Sequence, residues 1–320
     1  MEKSLTTKRI LIFLGFAFGI PWAAALTIAL TGVWGSNPLQ AVTLANLVFI
    51  STPVVANLLT RLVTKEGWGH FMLRPNFRHS WRFWLAAWFL PLLAAVVGGV
   101  IFYLLFPQSF DPELGALRKL TASVPSLATI NPWLIMMSMV IQGVLIAVPI
   151  NSVASLGEEL GWRAYLLPKL MERFAGAEPA SHSGTTGARR MALLVGLIHG
   201  VWHWPLFFLS TKLDPGSGFP FPLVYLVFTC SMSVLLSWAT LRSDSVWPAA
   251  IGHGAVNATS ALAGYMLKGT VNPLLGPAPT GLIGGLGYLI LALVLLFSRT
   301  KFTGRISERD ETASPVLASR

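Results

Sequence analysis

Eight stretches of this 320-residue chain run apolar for long enough to matter to any fold: 10–33, 39–62, 83–106, 132–155, 191–209, 221–241, 246–266 and 279–298. At ~1.5 Å per residue, about 20 helical residues cross the ~30 Å hydrocarbon core of a bilayer. Lipid offers backbone groups no hydrogen-bond partner, so such runs must satisfy their own N–H and C=O groups, and a helix does so within itself. The expected class is all-α: a polytopic membrane protein with about eight transmembrane helices. Composition agrees, with 54% hydrophobic and 11% charged residues where globular chains carry about a quarter charged.

Loop charge orients the helices. With the N-terminus cytoplasmic, only Arg118, Lys119, Lys212 and Lys268 of the 23 basic residues fall in outside loops. That asymmetry follows the positive-inside rule and places both termini on the cytoplasmic side of the cell (inner) membrane. It also accounts for the net charge of +10 through topology and anionic lipid. No basic stripe with interleaved aromatics appears, so nucleic acid is not an expected partner. The first apolar run is too long for a signal-peptide core and reads as a retained helix. The lone cysteine, Cys230, excludes an internal disulfide and a CxxC metal site.

The connectors divide by character. "EGWGHFMLRPNFRHSWRFW" mixes aromatic and basic residues and suits the inner interface. "ERFAGAEPASHSGTTGARR", residues 172–190, reads as a flexible cytoplasmic loop. Residues 299–320 read as a disordered cytoplasmic tail, leaving 1–298 as one transmembrane domain. Trp22, Trp34, Trp133 and Trp247 fit interfacial belts. The pairs Gly15/Gly19 and Gly281/Gly285 fit close helix packing, although GxxxG is common by chance.

Ionisable residues inside apolar spans are costly and default to functional candidates. His199 and His203 are four apart in "GLIHGVWHWPLFF", and so share a helix face. His253 and Asn257 do the same in "IGHGAVNATS", and Glu159 and Arg163 in "SLGEELGWRAYLLPKL". Glu158 points about 100° away from Glu159. Three spans thus each offer a short polar face, and gathering these faces around one polar intramembrane cavity avoids lipid exposure.

Two chemistries suit that set. A carboxylate in apolar surroundings can take a proton from water and return it to a leaving amine, with histidine or asparagine stabilising the oxyanion. Alternatively His199 and His203, completed by His253 or a glutamate, could hold zinc or another divalent metal with one position open for water. HExxH, GxSxG, Walker A and GxGxxG patterns are all missing, which disfavours soluble-type zinc peptidase, serine hydrolase and nucleotide chemistry. Bland readings compete residue by residue: Glu159 and Arg163 form a simple i,i+4 pair, and each histidine can satisfy a neighbouring carbonyl. The conjunction of acid, imidazoles and amide on separate spans favours function.

These motifs resemble the CAAX protease and bacteriocin-processing (CPBP, or Abi) family of intramembrane endopeptidases. "EELGWRAYLLPKL" is similar to its EExxxR motif and to a bacterial GWRxYLLP-type subgroup; "HGVWHWPLF" is similar to its aromatic-xxx-His motif, and "HGAVN" to HxxxN. The three come in family order, within a motif-bearing core of about 132–266. The resemblance implies Glu158 as the group that activates water, with Glu159 and Arg163 as its supporting pair. It implies His203 as the second-motif histidine, and His253 with Asn257 at the oxyanion or the water. His199 stands where the family has an aromatic residue, which leaves His199 as the alternative motif histidine. The expected substrate is a membrane-associated protein or peptide, with no nucleotide. A non-catalytic factor, such as a bacteriocin self-immunity protein, and an ion-coupled transporter are the rival readings.

Overall fold

The computed structural model describes residues 2–174, 182–210, 219–298 and 302. Among these, regular structure is helical, and the one β contact is an isolated bridge between Phe110 and Leu267. The main helices are α1 (Glu2–Leu30), α2 (Pro38–Thr64), α3 (Phe77–Leu105), α4 (Pro132–Phe174), α5 (His182–Trp202), α6 (Phe221–Ser243), α7 (Trp247–Thr259) and α8 (Leu286–Phe297). The chain is an all-α, multi-pass membrane protein.

The count of eight spans is not reproduced. Six helices among the described residues are long and apolar enough to cross a bilayer. The runs at 246–266 and 279–298 instead give α7 and α8, of 13 and 12 residues. At ~1.5 Å per residue these cover about 20 Å or less, short of a ~30 Å core. α7 is enclosed by protein from Pro248 to Val256, packing on α3, α4 and α6.

α4 departs further from expectation. The acidic motif was placed just past a span ending at 155, but the helix continues through it to Phe174, 43 residues in all. Two π-type segments widen it, Gly143–Ala147 and Trp162–Leu166. Each ends two residues before a proline, Pro149 and Pro168. Proline lacks an N–H and its ring meets the carbonyl four residues back, and a turn widened to i→i+5 relieves both without ending the helix.

Other expectations are adjusted too. Residues 182–190 of the expected loop already belong to α5, while 175–181 lie outside the described residues, as do Lys212 and the tail except Phe302. Nothing lies within 4 Å of a Cβ built on Gly15 or Gly19, and Gly281 and Gly285 meet only their own turn, so neither pair joins helices. The indoles of Trp22, Trp133 and Trp247 bond the carbonyls of Trp202, Pro112 and Leu73, tying helices and loops together at the rim.

Apolar side chains such as Leu104 (75% exposed) and Val153 (69%) cover the outer surface, as a lipid solvent requires. α6 is the most enclosed span, and most of its hydroxyls are bonded, Ser237 Oγ being buried without a partner among the described residues. Ser231, Thr240 and Ser243 bond carbonyls one turn back, and Ser233 crosses to Ala192 of α5 at 2.7 Å. Basic residues gather at one end of the bundle. There Glu66 meets Lys169 at 2.6 Å and Arg9 at 3.4 Å and accepts from the Tyr165 hydroxyl at 2.9 Å. Burial works to raise the Glu66 carboxyl, but the bonds from Lys169 and Tyr165 and the nearby cations outweigh it and hold it below the usual carboxylate range.

Candidate active site

α4 is brought up against α2 by two glycines. A Cβ at Gly157 would sit 2.7 Å from the Ile50 carbonyl oxygen, and one at Gly161 would sit 2.4 Å from Pro53 Cβ. Small residues one turn apart let backbones nearly touch, and Glu158 and Glu159 lie between them. In the sequence this pair is indistinguishable from any other GxxxG spacing, because only the partner helix shows the contact. On the other side, a Cβ at Gly254 would sit 2.6 Å from the Ser152 nitrogen, so α7 is pressed on α4 as closely.

Held there, the two glutamates diverge as their ~100° offset requires. Glu158 turns to α5, where His199 Nε2 donates to its Oε2 at 3.0 Å. Glu159 turns to α7: His253 Nδ1 donates to its Oε1 at 2.8 Å, and Arg163 Nη1 donates to the same oxygen at 2.9 Å. Glu159, Arg163 and His199 are wholly buried, and Glu158 and His253 are 6% exposed.

His203 lies where α5 breaks. Pro205 cannot continue the helix, and the chain turns at His203 before a short helix, Trp204–Ser210. His203 Nδ1 donates to the His199 carbonyl at 3.1 Å, which leaves Nε2 as the free nitrogen. The His199 ring lies 4.9 Å from that of His203 and 5.9 Å from that of His253, so imidazoles from α5 and α7 meet beside the carboxylates. Both histidines face Glu158, so the choice of His203 over His199 is not a choice between near and far. Asn257 stands one turn along α7, exposed, and donates to Ser155 Oγ at 3.3 Å; no bond joins it to the glutamates or imidazoles.

Residues 140–259 match the family model of type II CAAX prenyl endopeptidase Rce1-like proteins. The segment that carries this cluster is similar to that family over 120 of the chain's 320 residues. The match begins inside α4 and ends with α7, within the 132–266 segment outlined by the motifs, and leaves α1–α3 and α8 outside it. Curated proteins offer no match.

The matched segment also contains groups that no motif singled out. Trp162 is fully buried and stacks on the His199 ring at 5.3 Å and 28°. Tyr225 of α6 packs edge-on against His203 at 5.4 Å. Neither is distinguishable in sequence from a packing aromatic. Ligand atoms of Glu158, His199 and His203 lie within 4.8 Å of one another, a set of one carboxylate and two imidazoles that suits a divalent ion with an open position. His253, a sequence candidate for that set, is not in this group. Its Nδ1 is taken by Glu159.

Proposed function

We propose that the protein is an intramembrane endopeptidase that hydrolyses a peptide bond of a membrane-associated protein or peptide, with Glu158 as general base. The observation that carries this reading is the meeting of Glu158, from α4, with His199, from α5, and His203, at the break that follows α5, in a buried site inside an Rce1-like core. Glu158 takes a proton from water as the water oxygen bonds to the scissile carbonyl carbon. The C–N bond then breaks and the proton passes to the leaving amine, giving a carboxylate and an amine.

The neighbours have distinct tasks. His199 holds one oxygen of Glu158, leaving the other to meet water. His203 offers its Nε2 lone pair to the water's second hydrogen. Glu159 and Arg163 form a buried pair that orients His253, whose Nε2 faces the developing oxyanion. With Nδ1 donating to Glu159, His253 offers an Nε2–H donor to the oxyanion when its ring carries a proton on both nitrogens. Asn257 acts one turn away, on substrate rather than on the glutamates. Glu159 Oε2, Arg163 Nε and Nη2 and His199 Nδ1 make no hydrogen bond with the described residues. Buried polar atoms at this density suit a site that admits water and a peptide.

A divalent ion would be held by Glu158, His199 and His203, and when bound would make its water more acidic. Metal analysis of pure protein decides this version, and full activity without metal excludes it. The gathering of cations at the end that holds Glu66 and Lys169 supports a cytoplasmic placement of that end in the inner membrane.

Glu158→Gln in proteoliposomes tests the base. Cleavage of a fluorescence-quenched, farnesylated CAAX peptide should fall about 10²–10⁴-fold. A comparison of membrane proteomes with and without that substitution should reveal uncut natural substrates. Undiminished cleavage in both assays refutes the assignment.

A further inference from the structure

The face of α2 turned to α4 repeats along the helix as Ile50, Pro53, Asn57 and Arg61. The first two are in near contact with Gly157 and Gly161. The third, Asn57, is wholly buried and uses both ends of its amide. Its Nδ2 donates to the Leu160 carbonyl at 2.9 Å, and its Oδ1 accepts from Arg61 Nε at 2.8 Å. Leu160 follows Glu159 directly and precedes the widened turn Trp162–Leu166. Where a helix passes from i→i+4 to i→i+5 bonding, its boundary carbonyls become available to outside donors. Asn57 is such a donor, supplied from another helix.

The far end of the amide is anchored as well. Arg61 Nη1 donates to the Gly67 carbonyl at 2.9 Å, and its guanidinium lies 4.5 Å from the Phe71 ring and 5.3 Å from the Tyr165 ring. The amide is therefore clamped between a fixed guanidinium and one backbone oxygen. That oxygen sits between the residues that carry the chemistry: Glu158 and Glu159 just before it, Trp162 and Arg163 just after. A turn with one residue more than an α-turn rotates everything after it by a large part of a turn. Holding its start thus sets the aim of Arg163 at Glu159 and of Trp162 at His199.

We propose that Asn57 is a positioning residue: its bond to the Leu160 carbonyl fixes the start of the widened turn in α4, and with it the geometry of Glu158, Glu159 and Arg163. This rests on the endopeptidase reading above for its catalytic consequence, but its structural half stands apart from it.

The test uses the full chain in proteoliposomes, with Asn57→Leu, branched alike but bulkier and unable to bond, and Asn57→Ser, shorter and easier to accommodate. Thr60→Val is the control: Thr60 is as buried, and its hydroxyl bonds only the Ala56 carbonyl of its own helix. Displacing catalytic groups by about 1 Å costs about 10²-fold, so kcat on the quenched farnesylated peptide should fall on that scale with KM unchanged. Amides of residues 162–167 should exchange faster in both Asn57 variants, those of α6 should not, and Thr60→Val should match the unaltered protein throughout. Unaltered exchange at 162–167, or unaltered kcat in an Asn57 variant that folds, overturns the proposal. So does an equal loss in Thr60→Val. If Glu158→Gln stays fully active, the base assignment falls instead, and the exchange measurement alone decides the role of Asn57.

Discussion

α4 widens twice, and the two segments share a cause but not a setting. Gly143–Ala147 precedes Pro149, and Trp162–Leu166 precedes Pro168 at the same distance. In each neighbourhood a carbonyl takes a donor from another helix: Val144 from the Trp88 indole at 3.1 Å, Leu160 from Asn57 at 2.9 Å. The first segment turns Leu145 and Ile146 outward, both well exposed, whereas the second is buried at every position. Proline thus sets where the helix widens, and the neighbours decide whether widening bears on chemistry. A π-type turn is no site by itself; beside it must stand groups whose aim depends on it.

Substitutions can break this contrast. The largest effect on stability is expected from Arg163→Met, which leaves Glu159 as a buried charge without its guanidinium and should cost about 3–5 kcal/mol. Thermal unfolding in detergent measures it, and a shift near zero would mean that Glu159 needs no cation. Next, Pro168→Ala should let the second turn close towards i→i+4 and lower kcat severely. Pro149→Ala should leave cleavage nearly intact, so equal losses from both would erase the distinction drawn here.

Smaller effects sharpen the same contrast. Gly161→Ala drives a methyl into Pro53, and overpacking of that kind costs about 1–3 kcal/mol. Gly143→Ala meets only the Ala258 carbonyl at 3.6 Å, ordinary contact, and should be close to neutral. Denaturation of the two side by side reads the difference. Trp88→Phe, which removes one donor from Val144, falls between the two and should cost about 1 kcal/mol while activity stays as it was.

What was legible in the sequence was what local spacing controls. The i,i+4 pairs Glu159/Arg163 and His199/His203 were readable because helical periodicity puts such residues on one face whatever surrounds them. The divergence of Glu158 from Glu159 followed from the same geometry, and the structure sends them to α5 and α7 accordingly. The glycine contacts were not legible, for the opposite reason. Gly15/Gly19 and Gly157/Gly161 are the same pattern, and only a partner helix tells them apart. Asn57 offered only its i,i+4 spacing to Arg61, while the Leu160 carbonyl that gives it a role lies 103 residues away.

The sequence by itself determined that this chain lives in lipid as helices, because apolar length and the cost of unbonded backbone leave no other form. It also determined which residue types could do chemistry, because ionisable groups in hydrocarbon are too costly to place without a partner. Tertiary structure decided the rest. It fixed where α4 ends, that α7 is too short to span and is enclosed by protein, which carboxylate faces which imidazole, and which glycines touch. Those outcomes depend on contacts between residues far apart in the chain, and such contacts have no period for a sequence to display.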